Sequence, residues 1–99
     1  MIRHVVLLHW NEGVTPTAVD AVTAALEALP AEIPEIRSYQ CGPDLGIGRG
    51  TADYVLVADF ETEDDFRTYV RHPSHVALMR DVTGPIMASF SSAQFQLPA

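Results

Sequence analysis

Thiols and positive charge are scarce in this sequence, and each scarcity excludes something. Cys41 is the one cysteine, so no intrachain disulfide framework or cysteine-based metal site is expected. The plain expectation is a reducing cytoplasm. Lys and Arg number 6 against 13 Asp and Glu, a net charge of −7 with histidines neutral. That balance repels phosphate backbones and anionic membrane surfaces, which argues against nucleic acid as a partner. No apolar run approaches the ~18 residues of a membrane span, and Met1-Ile2-Arg3-His4 lacks the apolar stretch and cleavage site of a signal peptide. Four histidines are present, but none form a His-x-His or His-x₃-His pair, and no carboxylate partner accompanies His72 and His75. No metal is expected. Gly46-Ile47-Gly48-Arg49-Gly50 lacks the phosphate-loop spacing and leads into no helix, so it reads as a loop or lid.

What is present is apolar surface in strand-like runs. Residues 2–10 are rich in β-branched and aromatic types and end at Asn11-Glu12-Gly13, which predicts a strand. Its faces are His4, Val6, Leu8, Trp10 and Arg3, Val5, Leu7, His9. Residues 53–60 predict the clearest strand, with faces Tyr54, Leu56, Ala58, Phe60 and Asp53, Val55, Val57, Asp59. In both strands both faces are apolar at the centre, unlike a sheet with one wet side. Residues 36–42 and 87–97 read as weaker strands.

Helix signals fall between them. Thr15-Pro16 supplies an N-cap followed by proline at the first helical position, and Val19, Val22, Leu26 and Leu29 form an apolar stripe. Pro30 and Pro34 are expected to terminate it. Thr62-Glu63-Asp64-Asp65 opens a second helix with acidic residues at its positive end, and Phe66, Tyr69 and Val70 give its buried side. His72-Pro73 breaks it and starts a third through about Met79, with Gly84-Pro85 as a further break. The order βαββα(α)β predicts one α+β domain over 1–99, a ferredoxin-like antiparallel sheet with helices on one face. The face bearing Val5, Leu7, Val55 and Val57 is then left open. A chain this short buries only roughly 60–65% of its unfolded surface, so a second copy is the expected cover. Two such sheets face to face give a homodimer, a dimeric α/β barrel.

The densest cluster of polar groups is Tyr69-Val70-Arg71-His72-Pro73-Ser74-His75. Here, with the opening Ile2-Arg3-His4-Val5-Val6-Leu7-Leu8 and the Ile33-Pro34-Glu35-Ile36 stretch, the chain resembles the stress-responsive dimeric α/β-barrel (Dabb) family. The likeness extends to olivetolic acid cyclase-type members, which run an intramolecular aldol condensation without metal or organic cofactor. It implies His75 as general base, with Tyr69 and His4 completing the catalytic set and no cofactor. A second pocket tyrosine of that cyclase falls at or beside Leu26, and a glycine that opens its pocket falls near Met79. These departures imply a smaller or differently shaped substrate site with fewer hydroxyls.

The chemistry of the cluster stands beside the resemblance. Abstracting a proton α to a carbonyl needs a base near neutral pKa, and the enolate that develops needs donors such as a tyrosine hydroxyl or a second histidine N–H. A low-polarity pocket lined by Val6, Leu8, Leu56, Leu78 and Ile86 would strengthen those contacts. Each polar residue also has a structural reading. His75 can bond a free backbone group at the helix start, His72 reads as an N-cap, Tyr69 as a core aromatic, and His4 as a satisfied strand histidine; His9 belongs to the opposite face and Trp10 to packing. The resulting expectation is a cofactor-independent acid–base enzyme on a small apolar, keto or phenolic ligand. The alternatives are a non-catalytic stress or ligand-binding barrel and a cofactor-free oxygenase.

Overall fold

The computed structural model describes residues 1–98. Its elements run β1 (Ile2–Trp10), α1 (Pro16–Glu32), β2 (Ile36–Pro43), β3 (Tyr54–Phe60), α2 (Glu63–Arg71), α3 (Pro73–Leu78) and β4 (Met87–Gln96). Between α3 and β4 the chain makes a π-helical turn over Met79–Thr83 and a 3₁₀ turn over Gly84–Ile86. The sheet order is β2-β3-β1-β4 with every pair antiparallel, the ferredoxin-like arrangement. Among the described residues no helix is long and apolar enough to cross a membrane.

The caps form as the residue types dictate. Thr15 Oγ1 accepts the Ala18 N–H at 3.2 Å, and Thr62 Oγ1 accepts the Asp65 N–H at 3.1 Å. One expected boundary is corrected. Pro30 does not end α1 but sits inside it, and the helix runs two residues further. The stripe explains this: Leu29 and Ile33 on either side are both buried, and the Ile33 N–H still reaches the Leu29 carbonyl at 2.9 Å. Pro34 is the actual stop, because the residue before a proline is driven extended, and Ile33 adopts φ −122°, ψ 92°.

Register fixes the two faces of the sheet. His4 pairs with Ala58, Val6 with Leu56 and Leu8 with Tyr54, placing these six on the helix side. There Leu8, Tyr54, Leu56, Ala58 and Phe60 pack against Val22, Leu26, Leu29, Tyr69 and Leu78 from the helices. The far face carries Val5 opposite Val57 and Leu7 opposite Val55, all only partly covered, with Leu7 41% exposed. At its margin Arg3 grips Asp59 through two bonds, Nε to Oδ1 at 2.8 Å and Nη2 to Oδ2 at 2.9 Å. The guanidinium holds the Asp59 carboxyl below the usual carboxylate range. Strand β4 pairs with β1 along its whole length, yet almost all its side chains are exposed, Phe90 and Phe95 included.

Candidate active site

The stretch Val70 to His75 builds its own geometry from the break between α2 and α3. A continuing helix would send the Ser74 N–H to the Val70 carbonyl. Instead His72, extended at φ −60°, ψ 135°, accepts that N–H on its Nδ1 at 3.1 Å. Pro73 has no N–H to offer. The Val70 carbonyl is therefore left over, and His75 Nδ1 lies 3.0 Å from it. A carbonyl only accepts, so Nδ1 carries the proton and the neutral ring presents a lone pair at Nε2. The structural and chemical readings of His75 thus describe one contact: bonding the leftover carbonyl of α2 sets the tautomer of a base.

His4 reaches the same region from β1. It is buried, its Nδ1 lies 2.9 Å from the Gln94 Nε2 of β4, and the Phe66 ring packs against it at 4.9 Å between centroids. Burial, with the field of His75 second, lowers its pKa to about 4. Burial also lowers that of His75, partly countered by the bond to Val70. Both rings are neutral at neutral pH.

Tyr69 stands between them, its ring 4.4 Å from that of His75 and 6.2 Å from that of His4. Burial pushes its hydroxyl up to about 12, so it stays protonated. That hydroxyl is 2.7 Å from the Tyr39 hydroxyl of β2. One of the two donates to the other, which leaves the pair with one free proton.

These groups share one cavity of about 210 Å³ between the sheet and the helices. Its walls hold His4, Tyr69 and His75 together with Val6, Leu8, Leu26, Leu56, Leu78 and Met79, the positions singled out from the sequence. Ile86 is the exception. It belongs to the 3₁₀ turn ahead of β4, where its carbonyl accepts the Asn11 N–H at 2.8 Å and its side chain packs on the core away from the cavity. Val70, Thr83, Phe90 and Ser92 complete the lining, and no Asp, Glu, Lys or Arg is among the lining residues. Exposed Val70 and Phe90 mark the mouth. Met79 lines the space without filling it, held by the Thr83 hydroxyl that donates to its sulfur at 3.3 Å.

Sequence reasoning missed Tyr39, Thr83, Phe90, Ser92 and Gln94. Alternation along 87–97 was enough to put Phe90, Ser92 and Gln94 on one face. Nothing in the pattern said which face. Pairing with β1 decides it, since Phe90 lies opposite Leu8, Ser92 opposite Val6 and Gln94 opposite His4.

Comparisons with known proteins agree with this architecture. The family described as the stress responsive A/B barrel domain matches residues 2–96. A dimeric ferredoxin-like protein of unknown function from Thermobifida fusca superposes with a TM-score of 0.89 at 45% identity, over 97% of this chain and 90% of that one. An uncharacterised Streptomyces coelicolor protein is 30% identical over 95 residues, 91% of this chain and 98% of its own. A hydroxynitrile lyase from Passiflora edulis superposes with a TM-score of 0.85 over 98% of this chain and 93% of that one, at 18% identity, a level that shows a shared fold.

Proposed function

The chain belongs to the stress-responsive A/B barrel domain family, and from that premise we propose that it is a cofactor-independent acid–base enzyme of the cyclase or lyase type, working as a homodimer on a small keto or phenolic compound. The observation that carries this is the bond between His75 Nδ1 and the Val70 carbonyl. It leaves Nε2 as a lone-pair base in an apolar cavity, neutral and ready to accept a proton. Tyr69, still protonated, and His4 supply hydrogen-bond donors for the oxygen on which charge develops. Aldol-type ring closure and its reverse, cleavage beside a hydroxyl, both ask for this pairing of a base with oxygen donors.

The walls limit the ligand. With no charged side chain in the lining, a carboxylate or ammonium would enter unpaired at a cost of several kcal/mol. A neutral compound fits better. A cavity of about 150 Å³ takes a benzene ring, so 210 Å³ suits one substituted ring or a chain of similar bulk. The lyase among the solved structures supports the general chemistry only through its fold. Homodimer formation rests on the half-covered far face, where Val5, Leu7, Val55 and Val57 gain up to about 1.5–2 kcal/mol each on full burial, and on the dimeric state of the Thermobifida relative.

A binding and turnover screen against neutral β-keto and phenolic compounds, wild type beside His75→Ala, tests the reading. Turnover lost at least 100-fold with binding largely kept is the expected result. Equal turnover in both proteins removes His75 from the chemistry, and binding without turnover in either leaves a ligand-binding barrel.

A further inference from the structure

His4 and His75 meet different partners on their Nδ1 atoms, and the difference has chemical content. His75 faces a carbonyl, which accepts. His4 faces the carboxamide nitrogen of Gln94, which donates. An amide N–H requires a lone pair opposite it, so His4 Nδ1 is bare and its proton sits on Nε2. We propose that Gln94 is a positioning residue that holds His4 as the Nε2–H tautomer, a hydrogen-bond donor, opposite His75 held as the Nδ1–H tautomer, a base. The proposal rests on the acid–base reading for its use, though not for its geometry.

Three features bring the amide and the ring together. Gln94 lies directly opposite His4 in the β1–β4 register, so the carboxamide needs no loop to deliver it. Phe66 packs on the imidazole at 4.9 Å and Tyr69 meets it edge-on at 6.2 Å, restricting the ring to this orientation. The neighbouring amide of the strand, Gln96, is engaged elsewhere, on the Met1 carbonyl at 3.1 Å. Among the described residues neither histidine's Nε2 has a hydrogen-bond partner, although both rings line the cavity. A bound carbonyl would meet a proton donor from His4 and a proton acceptor from His75. The α-proton then goes to His75 Nε2 while the carbonyl oxygen gathers charge against His4 Nε2–H, and the proton returns to carbon or oxygen in the second step.

The choice of an amide at 94 also bears on charge. A carboxylate there would accept from Nδ1–H and favour the imidazolium. With its nitrogen turned to the ring, the amide instead opposes protonation at Nδ1, because a proton there would set N–H against N–H. This agrees with the depressed basicity of His4, for which burial is the main cause.

Long-range proton–nitrogen correlation spectra of the ¹⁵N-labelled, ligand-free protein at neutral pH read both tautomers directly. The expected wild-type result is a protonated Nε2 with a lone-pair Nδ1 for His4, and the reverse for His75. Gln94→Glu is expected to move the His4 Nδ1 resonance to that of a protonated nitrogen while His75 keeps its pattern. Gln94→Met, which removes the donor and keeps the bulk, is expected to leave His4 as a mixture of tautomers. A wild-type His4 protonated on Nδ1, or a His4 pattern unmoved in both variants, overturns the proposal. Because the spectra involve no substrate, correct tautomers in a protein that turns nothing over would contradict the acid–base reading and leave this assignment standing.

Discussion

The two faces of the β1–β3 pair are made by the same two strands and differ in what covers them. On the helix side Leu8, Tyr54, Leu56, Ala58 and Phe60 are sealed by α1, α2 and α3, and a neutral histidine, His4, lies among them. On the far side Val5, Leu7, Val55 and Val57 stay half-open, and the polar groups at the margin are a charged pair, Arg3 with Asp59. A charged pair tolerates the water at an uncovered edge. A histidine displaced from water gives up its charge and becomes a base or a donor. On the proposed reading, chemistry belongs to the sealed face and assembly to the open one.

The largest expected effects come from damaging each face in turn. Phe60→Ala, on the sealed side, should cost roughly 3–5 kcal/mol at any protein concentration, measured by urea unfolding. Leu7→Asp, on the open side, should leave the fold intact but place an unpaired charge in the dimer contact. It should weaken association by roughly 3–5 kcal/mol, at least about 100-fold, in sedimentation across protein concentration. Equal loss of fold in both variants would erase the distinction between the faces.

A smaller effect sharpens the account of His4. Its folded pKa of about 4 lies below its ordinary 6.5, so between those values the unfolded chain binds more protons than the native one. Stability should therefore fall as pH drops from 6.5 towards 4, with His75 adding in the same direction. Thermal unfolding of the wild type against His4→Gln checks this, and the variant should show a shallower decline over that window. The smallest change belongs to neither face. Thr62→Ala removes the cap of α2 and should cost about 1 kcal/mol in the same unfolding assay, leaving association unchanged.

The strand faces and helix starts were legible because they depend on local pattern. Alternation in 2–10 and 53–60 separated Val5 and Leu7 from His4, Val6 and Leu8, and Thr15 and Thr62 announced their caps. Most of the cavity followed from the same alternation together with the family likeness at His4, Tyr69 and His75. What escaped depends on long-range pairing. Pro30 looked like a stop because the pull of buried Leu29 and Ile33 is tertiary. Ile86 looked like a lining residue because the 3₁₀ turn that diverts it has no marker beyond Gly84-Pro85. Tyr39 reaches Tyr69 from a strand with few apolar residues, and Gln94 meets His4 across 90 residues of sequence.

The proposed chemistry stands or falls on a working base at His75 on the sealed face. Its most direct measurement is the exchange of α-protons for deuterium in a small neutral probe, acetylacetone or acetophenone, followed by proton NMR in heavy water with and without protein. Exchange should run faster than in buffer, saturate in the probe, and be at least about 100-fold slower in His75→Ala. Exchange at the buffer rate with wild-type protein, or an unchanged rate in His75→Ala, would contradict the proposed chemistry.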